Sequence, residues 1–270
     1  GGKMNTSLIL GQYIPEKSII HELDPRSKII GTALLSLAVF LSAFPEEQLI
    51  ILVMVMIVIL TSKISMRIHY LALKPFLFIL ALALLLQLIM TPGQNLIEFY
   101  FIKISVEGLQ AAGSLGLRLL TLLILANLLS LTTTPMAFTA ALERMLRPLG
   151  KLGFPVHELV MVMNISLRFI PLLLEEAERI RKAQLGRGAD FRQGKMLGRI
   201  RRLGAVIIPV FRLSIYRAEM IATAMESRGY RGAEGRTRLN ELRMKALDYV
   251  YIILSLGLCL LVTMTGGRGC

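Results

Sequence analysis

Residues 71–90 read LALKPFLFILALALLLQLIM, a run of 20 residues in which Lys74 is the one charged side chain. A helix of about 20 apolar residues is long enough to cross the hydrocarbon core of a bilayer. The whole chain of 270 residues is 54% hydrophobic, and its mean hydropathy is +0.64. This composition is too apolar for an ordinary soluble domain and predicts a polytopic membrane protein.

Further apolar runs bring the number of predicted spans to five. They are 29–44, 48–60, 111–132 and 249–265. The first two are short, so they need their flanking residues or local thinning of the bilayer to complete the crossing. Segment 96–108, LIEFYFIKISVEG, is β-branched and aromatic, and the sequence leaves open whether it is extended or an interfacial helix.

The charges of the connecting loops predict the orientation in the membrane. The loop FPEEQ at 44–48 carries two acids and no base, whereas the next loop carries Lys63, Arg67 and Lys74. Because basic loops remain in the cytoplasm, the first loop is expected outside and the second inside. The N-terminus is then cytoplasmic, 91–110 lies outside, and the C-terminus lies outside.

Most of the net charge of +13 is concentrated in one block. Residues 132–245 contain 21 Lys and Arg against 10 Asp and Glu. The block alternates with apolar helix faces and lies between membrane segments, so we expect a cytoplasmic region, with no nucleic acid as partner. The predicted division is an N-terminal transmembrane region at 1–132, a cytoplasmic or interfacial region at 133–245, and a last transmembrane helix at 246–270.

Three helices are predicted in this basic block. In the first, Thr134 is the N-cap and Pro135 the first helical residue, and 148–150 ends it. The second runs from about 156 to 187, and the third from about 195 to 228. Pro171 and Pro209 are expected to kink these two long helices, which are apolar before the proline and charged or amphipathic after it. The fold class is therefore all-α: about five transmembrane helices plus long amphipathic cytoplasmic helices.

The two long helices end in the same way. Residues 177–188 align without a gap with 218–229, and six of the twelve positions match. Gly188 and Gly229 are typical helix C-caps, because glycine adopts the left-handed conformation at little cost. Capping explains each end separately, but it does not explain the matches upstream, which indicate an internal repeat.

A search for catalytic chemistry finds none. The three histidines, His21, His69 and His157, are scattered and have no partner at helical spacing, so neither a metal site nor a catalytic triad is indicated. The stretch GADFRQGKM at 188–196 has one residue too many between its glycines for a P-loop, and Met196 stands where Ser or Thr is needed. We therefore expect a non-enzymatic chain without its own cofactor.

Together these features resemble the transmembrane T-component of energy-coupling factor (ECF) vitamin transporters. The N-terminal stretch GQYIPEKSIIHELDPRSKI at 11–29 is similar to the family's opening around Leu-Asp-Pro-Arg. The ends of the two long helices resemble the family's paired X-Arg-X signatures, which are commonly Ala-Arg-Gly. Here they read Gly186-Arg187-Gly188 and Ser227-Arg228-Gly229, so a different small residue replaces Ala in both.

The resemblance implies a coupling subunit. It would join two cytoplasmic ABC-type ATPases, which carry ATP and Mg²⁺, to a membrane-embedded S-component that captures the substrate. The two Arg-containing helix ends would sit in grooves on the ATPases, and the chain would lie in a prokaryotic cell membrane. Asp190 and Glu226 are supporting candidates for polar contacts or local caps. Asp24 and Arg26 are further supporting candidates, with Asp24 expected as a helix N-cap.

Two other functions remain as alternatives. A self-contained secondary carrier or channel needs a polar path through the spans, and the sequence offers few candidates for one. An intramembrane enzyme needs a nucleophile or a metal set inside the bilayer, and no such set stands out. Transport without partners would favour the carrier.

Overall fold

The computed structural model describes residues 18–42, 44–99, 102–150, 152–189, 196–230, 232 and 244–266. The elements, in chain order, are α1 (Ile19–Glu22), α2 (Pro25–Leu41), α3 (Pro45–Ser62), α4 (Met66–Met90), β1 (Asn95–Phe99), β2 (Ile102–Ser105), α5 (Val106–Thr132), α6 (Pro135–Gly150), α7 (Val156–Gly186), α8 (Met196–Ser227) and α9 (Ala246–Gly266). The predicted all-α polytopic class is confirmed. The segment whose conformation the sequence left open forms an antiparallel hairpin of β1 and β2, followed at Val106 by α5.

Several helices begin at the residues that local sequence chemistry predicts. Asp24 caps α2 through a hydrogen bond from the Arg26 N–H to its carboxylate (2.9 Å), and Pro25 is the first helical residue. Thr134 accepts the Ala137 N–H at 3.2 Å at the start of α6. Each cap satisfies an N–H that has no partner within its own helix. At the other end, α6 finishes at Gly150, within the predicted stretch 148–150, and Pro148 lies inside its last turn.

Five helices among the described residues are long and apolar enough to cross a membrane: α3, α4, α5, α7 and α9. The number agrees with the sequence prediction, but the set differs. The run predicted at 29–44 falls on α2, which has 17 residues and a charged first turn at Arg26 and Lys28. Seventeen residues span only about 26 Å. Helix α7 belongs to the set because its first half is apolar and continuous with the rest of its 31 residues.

The chain divides into two compact units. The first unit contains the described parts of 11–141 and 241–270. Its core is formed by apolar side chains of α2, α3, α5 and α9, with α2 packed against α9 and α5 packed against α3 and α4. Leu35, Ile51, Leu125 and Val262 are almost completely buried there. Since lipid is as apolar as leucine, close packing rather than exclusion of water holds such helices together in a bilayer.

Helix α4 presents most of its apolar surface outward. None of its apolar window is buried, and Phe78 is 77% exposed. An isolated soluble domain does not tolerate a helix of this kind, whereas a bilayer solvates it. The exposure of α4 therefore agrees with its assignment as a membrane span.

The second unit contains the described parts of 142–240, in which α7 packs against α8. Both helices are continuous through an internal proline, Pro171 in α7 and Pro209 in α8. Their ends, at Gly186 and Ser227, lie within one residue of the predicted ends.

Candidate functional site

The candidate site consists of two helix ends in the second unit. We call Gly186-Arg187-Gly188, at the end of α7, the first tip, and Ser227-Arg228-Gly229, at the end of α8, the second tip. All six residues are exposed to solvent.

The first tip is closed by the backbone of the chain itself. The Gly188 N–H donates to the Leu185 carbonyl and the Ala189 N–H to the Gln184 carbonyl, both at 3.0 Å. Gly188 has a φ of +86°, a left-handed conformation that L-residues rarely adopt. This pair of hydrogen bonds around a left-handed glycine is a Schellman motif.

The second tip has the same motif. The Gly229 N–H donates to the Glu226 carbonyl at 2.9 Å and the Tyr230 N–H to the Met225 carbonyl at 3.0 Å. Gly229 has a φ of +70°. The sequence repeat is therefore also a repeat of backbone geometry, and in each copy the arginine occupies the C-cap position before the glycine.

This geometry makes each arginine an accessible cation at a helix C-terminus. A cation in this position interacts favourably with the negative end of the helix dipole. Each glycine is surrounded by open space, since a Cβ added to Gly186, Gly188 or Gly229 would meet no atom within 4 Å. A guanidinium on a slim, capped helix end can enter a narrow groove and donate several hydrogen bonds to carboxylates there.

The residues described around the second tip include an acid and an apolar surface. Glu226 is exposed next to the second tip, whereas Asp190 lies outside the described residues. One face of α8 next to the second tip is a shallow, mostly apolar surface. It is formed by Tyr216, Glu219, Met220, Thr223, Ala224 and Ser227.

Asp24 and Arg26 lie in the first unit, at the start of α2. Arg26 forms an ion pair with Asp24 at 3.0 Å, and the Asp24 side chain is almost completely buried. The Asp24 N–H in turn donates to the Asp248 carboxylate at 2.7 Å. Both residues thus take part in a network that fixes the start of α2.

Sequence reasoning missed Asp248, which belongs to this network, and Lys28, which lies in the same first turn of α2 and has other partners. Asp248 is fully buried and accepts hydrogen bonds from the Ser27 hydroxyl (2.6 Å) and the Lys245 N–H (2.7 Å). Lys28 is 5% exposed and donates to the carbonyls of His21 (3.2 Å) and Thr132 (3.0 Å). No local signal marks Lys28 as buried, because its partner Thr132 is 104 residues away in the chain.

The described residues contain no group of three His, Cys, Asp or Glu side chains placed to hold a metal ion. The exposed guanidinium groups of the tips offer charge recognition.

Comparison with known proteins identifies the family. The model of the CbiQ family, described as "Cobalt transport protein", matches residues 16–239. The chain belongs to this family. Similar proteins include three that carry the name "Energy-coupling factor transporter transmembrane protein EcfT". The relative from Thermanaerovibrio acidaminovorans is 42% identical over 92% of this chain and 92% of its own length. The relative from Ruminiclostridium cellulolyticum is 42% identical over 91% of this chain and 92% of its own length. The relative from Bacillus subtilis is 38% identical over 93% of this chain and 95% of its own length.

These matches confirm the predicted resemblance to ECF-transporter T-components. They cover both units and both tips, since the match to CbiQ runs from before Asp24 to beyond Gly229. The chain is thus a multi-pass transmembrane component of an ECF-type transporter.

Proposed function

We propose that the chain is the coupling subunit of an ECF-type ABC importer that takes up vitamins or other micronutrients. In this function the first and second tips dock in grooves on two cytoplasmic ABC-type ATPases. A membrane-embedded S-component captures the substrate. ATP and Mg²⁺ bind to the ATPases, and movement of α7 and α8 passes the effect of ATP binding to the S-component.

The observation that carries this proposal is the repeated tip geometry. Two exposed arginines sit at the C-cap position of two Schellman motifs that use the same hydrogen bonds. Two equivalent arginine-bearing tips can bind two equivalent acidic grooves, one on each ATPase. The name of the relatives, which places them in energy-coupling factor transporters, supports the same function.

The proposal also includes an orientation. We place the chain in a prokaryotic plasma membrane with its N-terminus in the cytoplasm and its C-terminus outside, because the loop charges follow the positive-inside rule. Residues 1–132 and 246–270 then form the transmembrane region, with α2 completed by its flanks. Residues 133–245 form the coupling region, in which the apolar half of α7 lies against the membrane and both tips face the cytoplasm.

The test is a charge reversal at both tips. The tagged full-length chain carrying Arg187→Glu and Arg228→Glu is expressed in its native host, and the complex is affinity-purified. We expect the ATPases to be lost from the purified complex, because a carboxylate cannot replace a guanidinium in an acidic groove. Every co-eluting chain is identified by mass spectrometry.

A matched control reverses the same number of charges away from the tips. Lys182→Glu with Arg212→Glu changes one exposed cation on each of α7 and α8. This control is expected to keep the ATPases, and both variants are expected to remain monodisperse in detergent. Full retention of the ATPases by the tip variant would refute the docking assignment. Substrate flux in liposomes containing the purified chain alone would favour a self-contained carrier instead.

A further inference from the structure

An ion pair connects α7 and α8 at a position that the sequence repeat singles out. The Arg217 guanidinium lies 3.7 Å from the Glu176 carboxylate, and the two side chains are 26% and 23% exposed. The alignment that pairs residue 177 with 218 also pairs Glu176 with Arg217, one position upstream. The two residues that touch are therefore equivalent positions of the repeat.

A contact between equivalent positions has a geometric meaning. In a pair of elements related by a two-fold axis, a residue meets its own equivalent only close to that axis. A local two-fold relation between α7 and α8 would therefore have its axis close to the Glu176–Arg217 contact.

The burial pattern supports this relation independently. From 179 to 189 and from 220 to 230, every pair of equivalent residues has the same degree of exposure. Four equivalent pairs are partly buried on both helices and lie at helical spacing. They are Leu173 and Ser214, Glu176 and Arg217, Ile180 and Ile221, and Gln184 and Met225. The two helices therefore bury equivalent faces.

The two residues of the ion pair lie at the same distance from the tips of their own helices. Arg187 lies eleven residues beyond Glu176, and Arg228 lies eleven residues beyond Arg217. At 1.5 Å per residue, each tip lies about 17 Å along its helix from the pair. Two tips with equal reach from a local axis match a partner whose two grooves are related by a two-fold axis.

We propose that Glu176 and Arg217 are positioning residues that fix the crossing of α7 and α8 and thereby the separation of the two tips. The inference rests on the proposed function for its biological meaning, but its structural part concerns this chain alone. Two acids or two bases at this point would repel, since like charges about 4 Å apart are unfavourable even in a polar environment. The opposite charges therefore favour packing of the equivalent faces at this point, where Glu176 also lies 3.9 Å from Arg179 on its own helix.

The test measures the separation of the tips by electron paramagnetic resonance. Spin labels are attached to cysteines at the equivalent exposed positions Leu185 and Glu226, in a chain whose own Cys259 and Cys270 are replaced by serine. The full chain is reconstituted in lipid nanodiscs. Glu176→Arg and Arg217→Glu are compared singly and as the swapped pair.

We expect each single reversal to lose the narrow distance peak of the parent chain and the swapped pair to restore it. Glu178→Arg is the matched control, because Glu178 pairs with Arg181 and Lys182 on its own helix. It should leave the peak unchanged. If a single reversal does not fold, as judged by helix content, Glu176→Gln removes the attraction without adding repulsion and should broaden the peak.

An unchanged peak in both single variants, or a swapped pair that stays broad while folded, would overturn the proposal. In the complete transporter, the single reversals should lower substrate uptake per ATP hydrolysed, and the swap should restore it. Failure of the parent chain to co-purify with ATPases would refute the proposed function, whereas the distance measurement would still decide the role of the ion pair.

Discussion

Replacing Asp248 with alanine is the most direct test of the network at the start of α2. Its carboxylate accepts the N–H groups of Asp24 and Lys245, both at 2.7 Å, and the Ser27 hydroxyl at 2.6 Å. Lys245 precedes α9, so its bond to Asp248 is one half of a capping box. The substitution therefore removes a helix cap and a long-range connection between α2 and α9.

The expected loss of stability follows from the environment of each donor. The Asp24 N–H is left buried and without this partner, which costs about 1–3 kcal/mol. Loss of the cap at the more exposed Lys245 adds about 0.5–2 kcal/mol. The free energy of unfolding should therefore fall by about 2–5 kcal/mol, which lowers the melting temperature by on the order of 10 °C.

A thiol-reactive fluorogenic dye provides the assay. Cys259 is 6% exposed, so it reacts only when the core opens. Cys270 is replaced by serine so that the signal comes from Cys259. Glu22→Gln is the matched control: Glu22 is 73% exposed and lies 3.8 Å from the Lys245 ammonium, and surface pairs of this kind contribute about 0–1 kcal/mol.

The expected order of melting temperatures is Glu22→Gln close to the parent, Asp248→Asn lower, and Asp248→Ala lowest. Asn retains one carbonyl oxygen but presents an NH₂ group to a donor. A melting temperature for Asp248→Ala equal to that of Glu22→Gln would refute the assignment of Asp248 as the centre of a stabilising network.

Three further substitutions test other features. Gly31→Val should destabilise the chain because a Cβ at Gly31 would overlap the Tyr251 ring, and Tyr251→Ala in the same chain should recover part of the loss in the dye assay. Lys28→Met should lower the melting temperature by an amount similar to Asp248→Ala, because two backbone carbonyls lose a charged donor; a neutral result would contradict this role. Gly188→Ala should speed hydrogen exchange in the last turn of α7, since a left-handed conformation costs a residue with a Cβ about 1 kcal/mol. Gly186→Ala, inside the helix, should slow that exchange, and equal rates in the two variants would speak against the cap.

Features controlled by neighbouring residues were predictable from the sequence. The ends of α7 and α8 were placed within one residue because a C-terminal cap is decided by the glycine next to it. The start of α2 followed in the same way from Asp24-Pro25. The sequence repeat alone therefore predicts that the two tips are equivalent sites.

Features controlled by distant residues were not predictable. The role of Asp248 was not predicted, because its partners Asp24 and Ser27 are more than 220 residues away in the chain. The set of membrane-length helices also differed from the predicted one. Helix α2 has only 17 residues and a charged first turn, and the apolar first half of α7 was assigned to the basic block because of the charges that follow it. The hairpin at 95–105 depends on pairing between strands, which a single aromatic run does not specify.

The Schellman hydrogen bonds at the ends of α7 and α8 allow each helix end to bind a partner and to leave it again. In each of α7 and α8, three of the last four carbonyls already accept a hydrogen bond from the chain itself. A helix end of this kind can detach from a protein surface without stranding polar groups that the surface had satisfied. A partner then holds such an end mainly through side chains, and repeated release and rebinding need no local refolding.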